Sequence, residues 1–226
     1  YSTMFENMIY PVIPFTIKGV IWYQGEANVW KPSYYQDLLT SMIYDWRGYW
    51  GYQFPFYYAQ IAPYNYSNKD FSHLLREAQR KTLKSTKKTG MAILLDVGEK
   101  EDIHPGNKQD VGMRLALLAL EKDYNYNVVS SGPLYEDHRI VDDYIEISFK
   151  SVGSGLTSRG KLKNFEIAGR NKKFYKATAR IVGNKVRVSS KKIKRPKHIR
   201  YAWKNWVEAT LFNKEGLPAS SFQSEY

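Results

Sequence analysis

Apolar positions in the first half of the chain follow two rhythms. Residues 19–23, 54–61 and 91–96 are short, nearly continuous apolar runs, the pattern of strands buried on both faces. Between them, residues 34–46 carry apolar side chains at helical spacing. So do a stretch through Leu74, Ala78 and Leu83 and a segment over 108–121, with Val111, Leu115, Leu118 and Ala119 on one face. Asp70 is expected to cap the middle helix, Lys84, Lys87 and Lys88 suit its C-terminal end, and Gly90 is expected to stop it. Strand–helix alternation of this kind predicts a parallel sheet with helices on both faces.

The second half changes rhythm. Residues 140–149, 161–168, 177–182 and 185–190 are short strand patterns separated by turn signals such as Gly153-Ser154-Gly155. Gly183-Asn184, between Ile181 and Val186, predicts a hairpin. This half reads as all-β and sandwich-like. A boundary is expected near residues 128–131, dividing the chain into 1–128 and 129–226.

Charge sharpens that division. Residues 1–128 hold 14 Lys and Arg against 13 Asp and Glu, whereas residues 129–226 hold 20 against 9. A basic half invites a polyanion-binding reading. A solvated basic face on a β domain is the favoured alternative, because the cations alternate with apolar residues and form no helical stripe. Lys191, Lys192, Lys194 and Arg195, ending at Pro196, read as a charged turn or strand edge.

Composition mainly excludes. The 226 residues are 43% hydrophobic and 25% charged, ordinary globular usage. Cysteine is absent, which removes disulfides and Cys-ligated zinc or iron–sulfur sites. No apolar run approaches the roughly 18 residues of a membrane span. The chain opens Tyr1-Ser2-Thr3-Met4 rather than on an initiator methionine, so the lack of a visible signal peptide says little about export.

Open α/β sheets place their chemistry in loops beyond the carboxyl ends of the strands. Three loops qualify: residues 23–28, 62–64 and 96–105. In the third, His104 lies among Asp96, Glu99, Glu101 and Asp102. A carboxylate beside an imidazole fixes its tautomer and stabilises the cation formed when it takes a proton, the logic of a general base. A helix-capping loop with an incidental histidine is the structural alternative. Asp102 and His104 as metal ligands would be a thin set. In the first loop, Gln24 offers an amide and Gly25 lets its N–H approach a ligand closely, as an oxyanion hole requires. A tight turn with Glu26 satisfying nearby backbone groups is the plainer reading of that loop.

Several ordered motifs then resemble one family. Residues 18–28, from Lys18 through Trp22, Gln24, Gly25 and Glu26 to Asn28, are similar to the "KGxIWYQGExN" block of the sialate O-acetylesterase family in the SGNH-hydrolase superfamily. Asp45-Trp46-Arg47, Phe54-Pro55-Phe56-Tyr57 and Arg76-Glu77-Ala78-Gln79 follow in the family's order. Asp102-Ile103-His104-Pro105 is similar to its histidine block, and segments around 152–156, 165–169 and 213–220 to its β-rich module. The resemblance implies part of a three-layer, flavodoxin-like SGNH-hydrolase sheet followed by the β-rich sandwich-like module. It implies a secreted or periplasmic enzyme that removes acetyl groups from sialic acid or other O-acetylated sugars through a serine, without cofactor or metal, and without nucleic acid or membrane as partner. His104 corresponds to the base, with Asp102 first and Glu101 second as its orienting acid. Gln24, Gly25, Glu26 and Asn28 correspond to the oxyanion and substrate block.

Two departures stand out. The family's "GQSN" nucleophile block and "GGT" glycine block do not occur here, and Ser154 belongs to a β-module turn. The serine is therefore expected on a segment upstream of Tyr1. The sheet should then be open, to be covered by that segment or by a second copy of the chain. Lys204-Asn205-Trp206 stands where the family tends to an Asn-Pro pair, a change expected to touch only a loop of the β module. A non-catalytic remnant that binds carbohydrate through Trp22, Tyr23 and Trp30 is the competing reading, and a polyanion-binding module is a third.

Overall fold

The structure, a computed structural model, describes residues 3–67 and 69–224. Strands β1 (Val20–Trp22), β2 (Phe56–Ala59) and β3 (Thr89–Ala92) form a parallel sheet in the order β1-β2-β3. Helices α1 (Tyr35–Trp50), α2 (Ser72–Ser85) and α3 (Lys108–Lys122) connect and follow them. The alternation along β2 sorts the layers. Phe56 and Tyr58 face Leu39 and Ile43 of α1 and Leu75 and Ala78 of α2. Tyr57 and Ala59 face Val111, Leu115 and Leu118 of α3. The predicted α/β architecture is present, with helices on both faces of the sheet.

The first strand is less buried than its sequence suggests. Ile21 is 69% exposed, because β1 is an edge strand and α3 packs beneath β2 and β3. Two expectations about α2 also fail. Phe71 rather than Asp70 holds the N-cap position, and no side chain of its own caps the helix. The helix ends at Ser85, and Gly90 lies inside β3. A Cβ on Gly90 would sit 2.9 Å from both Leu118 and Tyr57, so glycine there lets α3 press against the sheet.

The second half is antiparallel. Strands β4 (Leu134–Val141), β5 (Tyr144–Lys150), β9 (Thr178–Val182) and β10 (Lys185–Ser189) form one sheet in the order β4-β5-β10-β9. Strands β7 (Phe165–Ala168), β8 (Phe174–Lys176), β11 (His198–Tyr201) and β13 (Phe222–Gln223) form a second, and β6 (Leu156–Ser158) pairs with β12 (Leu211–Asn213). Gly183-Asn184 turns the β9–β10 hairpin as the sequence indicates. The run over 140–149 is not one strand: it folds back at Asp142-Asp143, with Asp142 in the left-handed region, joining β4 to β5. Ile145, Ile147, Val186 and Val188 of one sheet share a core with Ile167, Ile199, Tyr201 and Phe222 of the other. Phe222 stacks on Tyr135 at 4.4 Å, ring centre to ring centre.

That core is continuous with the α1–α2 side of the parallel sheet. A buried polar seam joins the halves. Arg76 of α2, fully buried, donates to the carbonyls of Ala202, Lys204 and Asn205 and to the hydroxyls of Ser72 and Ser221. Gln60 donates to Ser220. Asn205 does more than occupy a loop. Its Oδ1 accepts the backbone N–H and the hydroxyl of Ser72, both at 3.0 Å, so the β region caps α2 from 133 residues away.

Candidate active site

All three candidate loops lie at the carboxyl end of the parallel sheet, and contacts tie them together. The first is built around Gly25, whose φ of 155° and crowding both demand glycine. A Cβ there would lie 2.7 Å from Ile61 and 2.8 Å from Leu75. Tyr35 of α1 donates to the Gln24 carbonyl at 2.8 Å. Gln79 of α2 accepts the Ile61 N–H at 2.9 Å and donates to the Ala59 carbonyl at 3.1 Å and the Gln24 carbonyl at 3.4 Å. One buried amide thus brackets the ends of β1 and β2. No local pattern marks Gln79 for this role, because its partners are 18 to 55 residues away.

Within this loop Gln24 donates its Nε2 to Asn28 Oδ1 at 2.7 Å. That bond occupies the acceptor of Asn28 and leaves its amide Nδ2 as the donor group. Gln24 and Asn28 line a hollow of about 110 Å³ with Trp22, Tyr35, Leu39 and Met42. Glu26 opens a short 3-10 turn. Its charge adds to the effect of burial in raising the Tyr23 and Tyr35 hydroxyls to about 12. Both phenols stay protonated and able to donate at any ordinary pH.

The third loop is anchored at both ends. Asp96 takes a bidentate ion pair from Arg114 of α3, at 2.6 and 2.9 Å, and Arg159 of the β region approaches it at 3.7 Å. Glu99 accepts the Gly106 N–H at 2.7 Å and closes the loop. The Asn65 N–H donates to the Lys100 carbonyl at 3.2 Å, which joins the second loop to the third. The Asn107 side chain caps α3 through the Asp110 N–H. Lys108 donates to the Pro105 carbonyl and lies 6.0 Å from the Tyr23 ring, which brings the first loop beside the third.

His104 projects from this frame with its side chain 87% exposed. Asp102 Oδ1 accepts the His104 backbone N–H at 2.8 Å and stands 3.8 Å from its Nδ1. Glu101 instead faces Lys100 at 3.3 Å. Asp102 is therefore the carboxylate beside the imidazole. Among the described residues no hydroxyl hydrogen-bonds the His104 ring, and no three His, Cys, Asp or Glu side chains converge as a metal cage would need.

A parallel sheet carrying its titratable loops at one end, followed by antiparallel sheets, defines the class: an α/β protein with a β-rich second half. A solved carbohydrate acetylesterase from Xanthomonas citri superposes with a TM-score of 0.92 at 37% identity, over 98% of this chain and 54% of that one. The chain belongs to the carbohydrate esterase family of sialic acid-specific acetylesterases, whose family model matches residues 1–120. The mouse sialate O-acetylesterase is 32% identical over 165 residues, and the human protein 31% over 157. These matches span 29% and 30% of those proteins and about three-fifths of this chain.

Proposed function

We propose that the chain supplies the general base and part of the oxyanion site of a serine-type carbohydrate O-acetylesterase, whose nucleophile comes from outside residues 1–226. The observation that carries this reading is the exposed His104 imidazole at the sheet's carboxyl end, with Asp102 beside its Nδ1. In the reaction the serine oxygen attacks the acetyl carbonyl carbon while His104 takes the hydroxyl proton through Nε2. The free Nδ2 of Asn28 donates to the oxyanion, and Gly25 allows close approach. The tetrahedral intermediate collapses, the sugar oxygen leaves with the proton from His104, and water then hydrolyses the acetyl-enzyme with His104 again as base. The unpaired edge of β1, with Ile21 exposed, supports the idea that another segment adds to the sheet there.

The test is His104→Ala in the full-length protein, assayed on an O-acetylated sugar. We expect kcat to fall by about 10²–10⁴-fold with the thermal melt unchanged. Near-normal turnover would sink the assignment. Asp102→Asn should lower kcat well below Glu101→Gln, and the reverse order would transfer the orienting role to Glu101.

A further inference from the structure

The histidine loop stands on two feet, Asp96 at its start and Asn107 at its end, and one guanidinium ties them together. Arg114 of α3 pairs with Asp96 at 2.6 and 2.9 Å and approaches Asp110 at 3.8 Å. Asp110 in turn accepts the side-chain amide of Asn107 at 2.9 Å. The imidazole itself has little to hold it. Its side chain is 87% exposed, and the carboxylate beside it, Asp102, belongs to the same loop. Where His104 points is therefore set by how firmly the loop backbone is seated.

Arg159 of the β region adds a strut to the first foot. It follows β6 directly, and its Nη1 lies 3.7 Å from Asp96 Oδ2. The side chain is 61% exposed, and exposure ordinarily makes an ion pair weak. Here two further contacts fix the guanidinium where it meets the carboxylate. Its central carbon lies 4.0 Å from the centre of the buried Phe212 ring, and Nη2 donates to the Gly216 carbonyl at 3.3 Å. Asp96 itself is almost wholly buried, so the receiving carboxylate is shielded from water. A planar fork can stack, donate and pair at once, which is why arginine suits this position.

We propose that Arg159 is a positioning residue for His104: by holding Asp96 from the β region, it seats the loop on which the imidazole stands. The β region then takes part in catalysis without touching the substrate. The inference rests on the esterase reading for its kinetic consequence, and a second readout needs no turnover.

In the full-length protein, Arg159→Met keeps an apolar stem on Phe212 and removes the charge. With glucose pentaacetate as substrate, kcat should fall at least about fivefold, with KM within about twofold and the thermal melt within about 2 °C. Arg159→Lys, which restores a cation, should recover at least about half of the parent kcat. Lys194→Gln, which removes a charge from an exposed turn, should change kcat less than about twofold. Hydrogen exchange read by mass spectrometry should be faster over residues 97–106 in Arg159→Met and unchanged in β2. Unaltered exchange over that loop would overturn the proposal, whatever the activity. So would an unaltered kcat in Arg159→Met, an equal loss in Lys194→Gln, or no recovery by lysine. Full activity in His104→Ala would instead defeat the esterase reading, and the exchange result alone would then decide whether Arg159 seats the loop.

Discussion

Arg76 and Glu146 are both buried, yet they are satisfied in opposite ways. Arg76, in the α/β half, gives its hydrogen bonds to carbonyls and hydroxyls, with no carboxylate partner among the described residues. Burial alone pulls its guanidinium down to about 10. Glu146, in the basic half, meets Arg139, Lys185 and Arg187 at 2.6 to 2.9 Å. Hydrogen bonds from Lys185 and Arg187, then Arg139, hold its carboxyl down at about 2. The first arrangement fastens two halves through dipoles and depends on exact placement of backbone. The second gathers exposed cations around one anion within a sheet and tolerates small shifts.

The sharpest way to break this contrast is Arg76→Met. It strands several buried acceptors at about 1–3 kcal/mol each, so urea unfolding should show a loss of about 3 kcal/mol or more. A loss under about 1 kcal/mol would mean that the seam does not depend on the guanidinium. Arg47→Met should cost less, about 1–2 kcal/mol. Arg47 also donates to neutral carbonyls, of Phe54 and Lys88, but its Nη1 is buried with no partner, and methionine relieves that fault. An equal loss at the two sites would show that burial rather than bridging sets the cost. The smallest effect belongs to Glu146→Gln, whose cationic partners are 32–65% exposed. Its signature is pH dependence. A carboxyl at about 2 in the fold, against an ordinary 4.5, contributes stability above pH 4.5 that is lost as the pH falls toward 2. Parent and variant melting temperatures should converge across that window, and parallel curves would contradict the assignment.

Local pattern made the α/β half readable. The apolar runs found β1, β2 and β3, and helical spacing found α1 and α3 to within a few residues. The histidine loop was legible because Asp102 and His104 act on each other at short range. What escaped is what distant residues supply. Strands β6, β8, β12 and β13 are two or three residues long and exist through their pairing partners. Asp70 looked like the cap of α2, but Asn205 takes that role. Gly90 looked like a stop, whereas its use is to admit α3. The roles of Gln79 and Arg76 were hidden for the same reason.

The remote cap on α2 carries a consequence for how the chain comes into being. During synthesis Ser72 leaves the ribosome 133 residues ahead of Asn205, the acceptor for its N–H. At about 5–20 residues per second that gap lasts roughly 7–27 s. Throughout it the Ser72 N–H has only water to satisfy it, and the helix that carries Gln79 lacks its fastening. The helix that backs the candidate catalytic loops is thus translated well ahead of the residue that caps it.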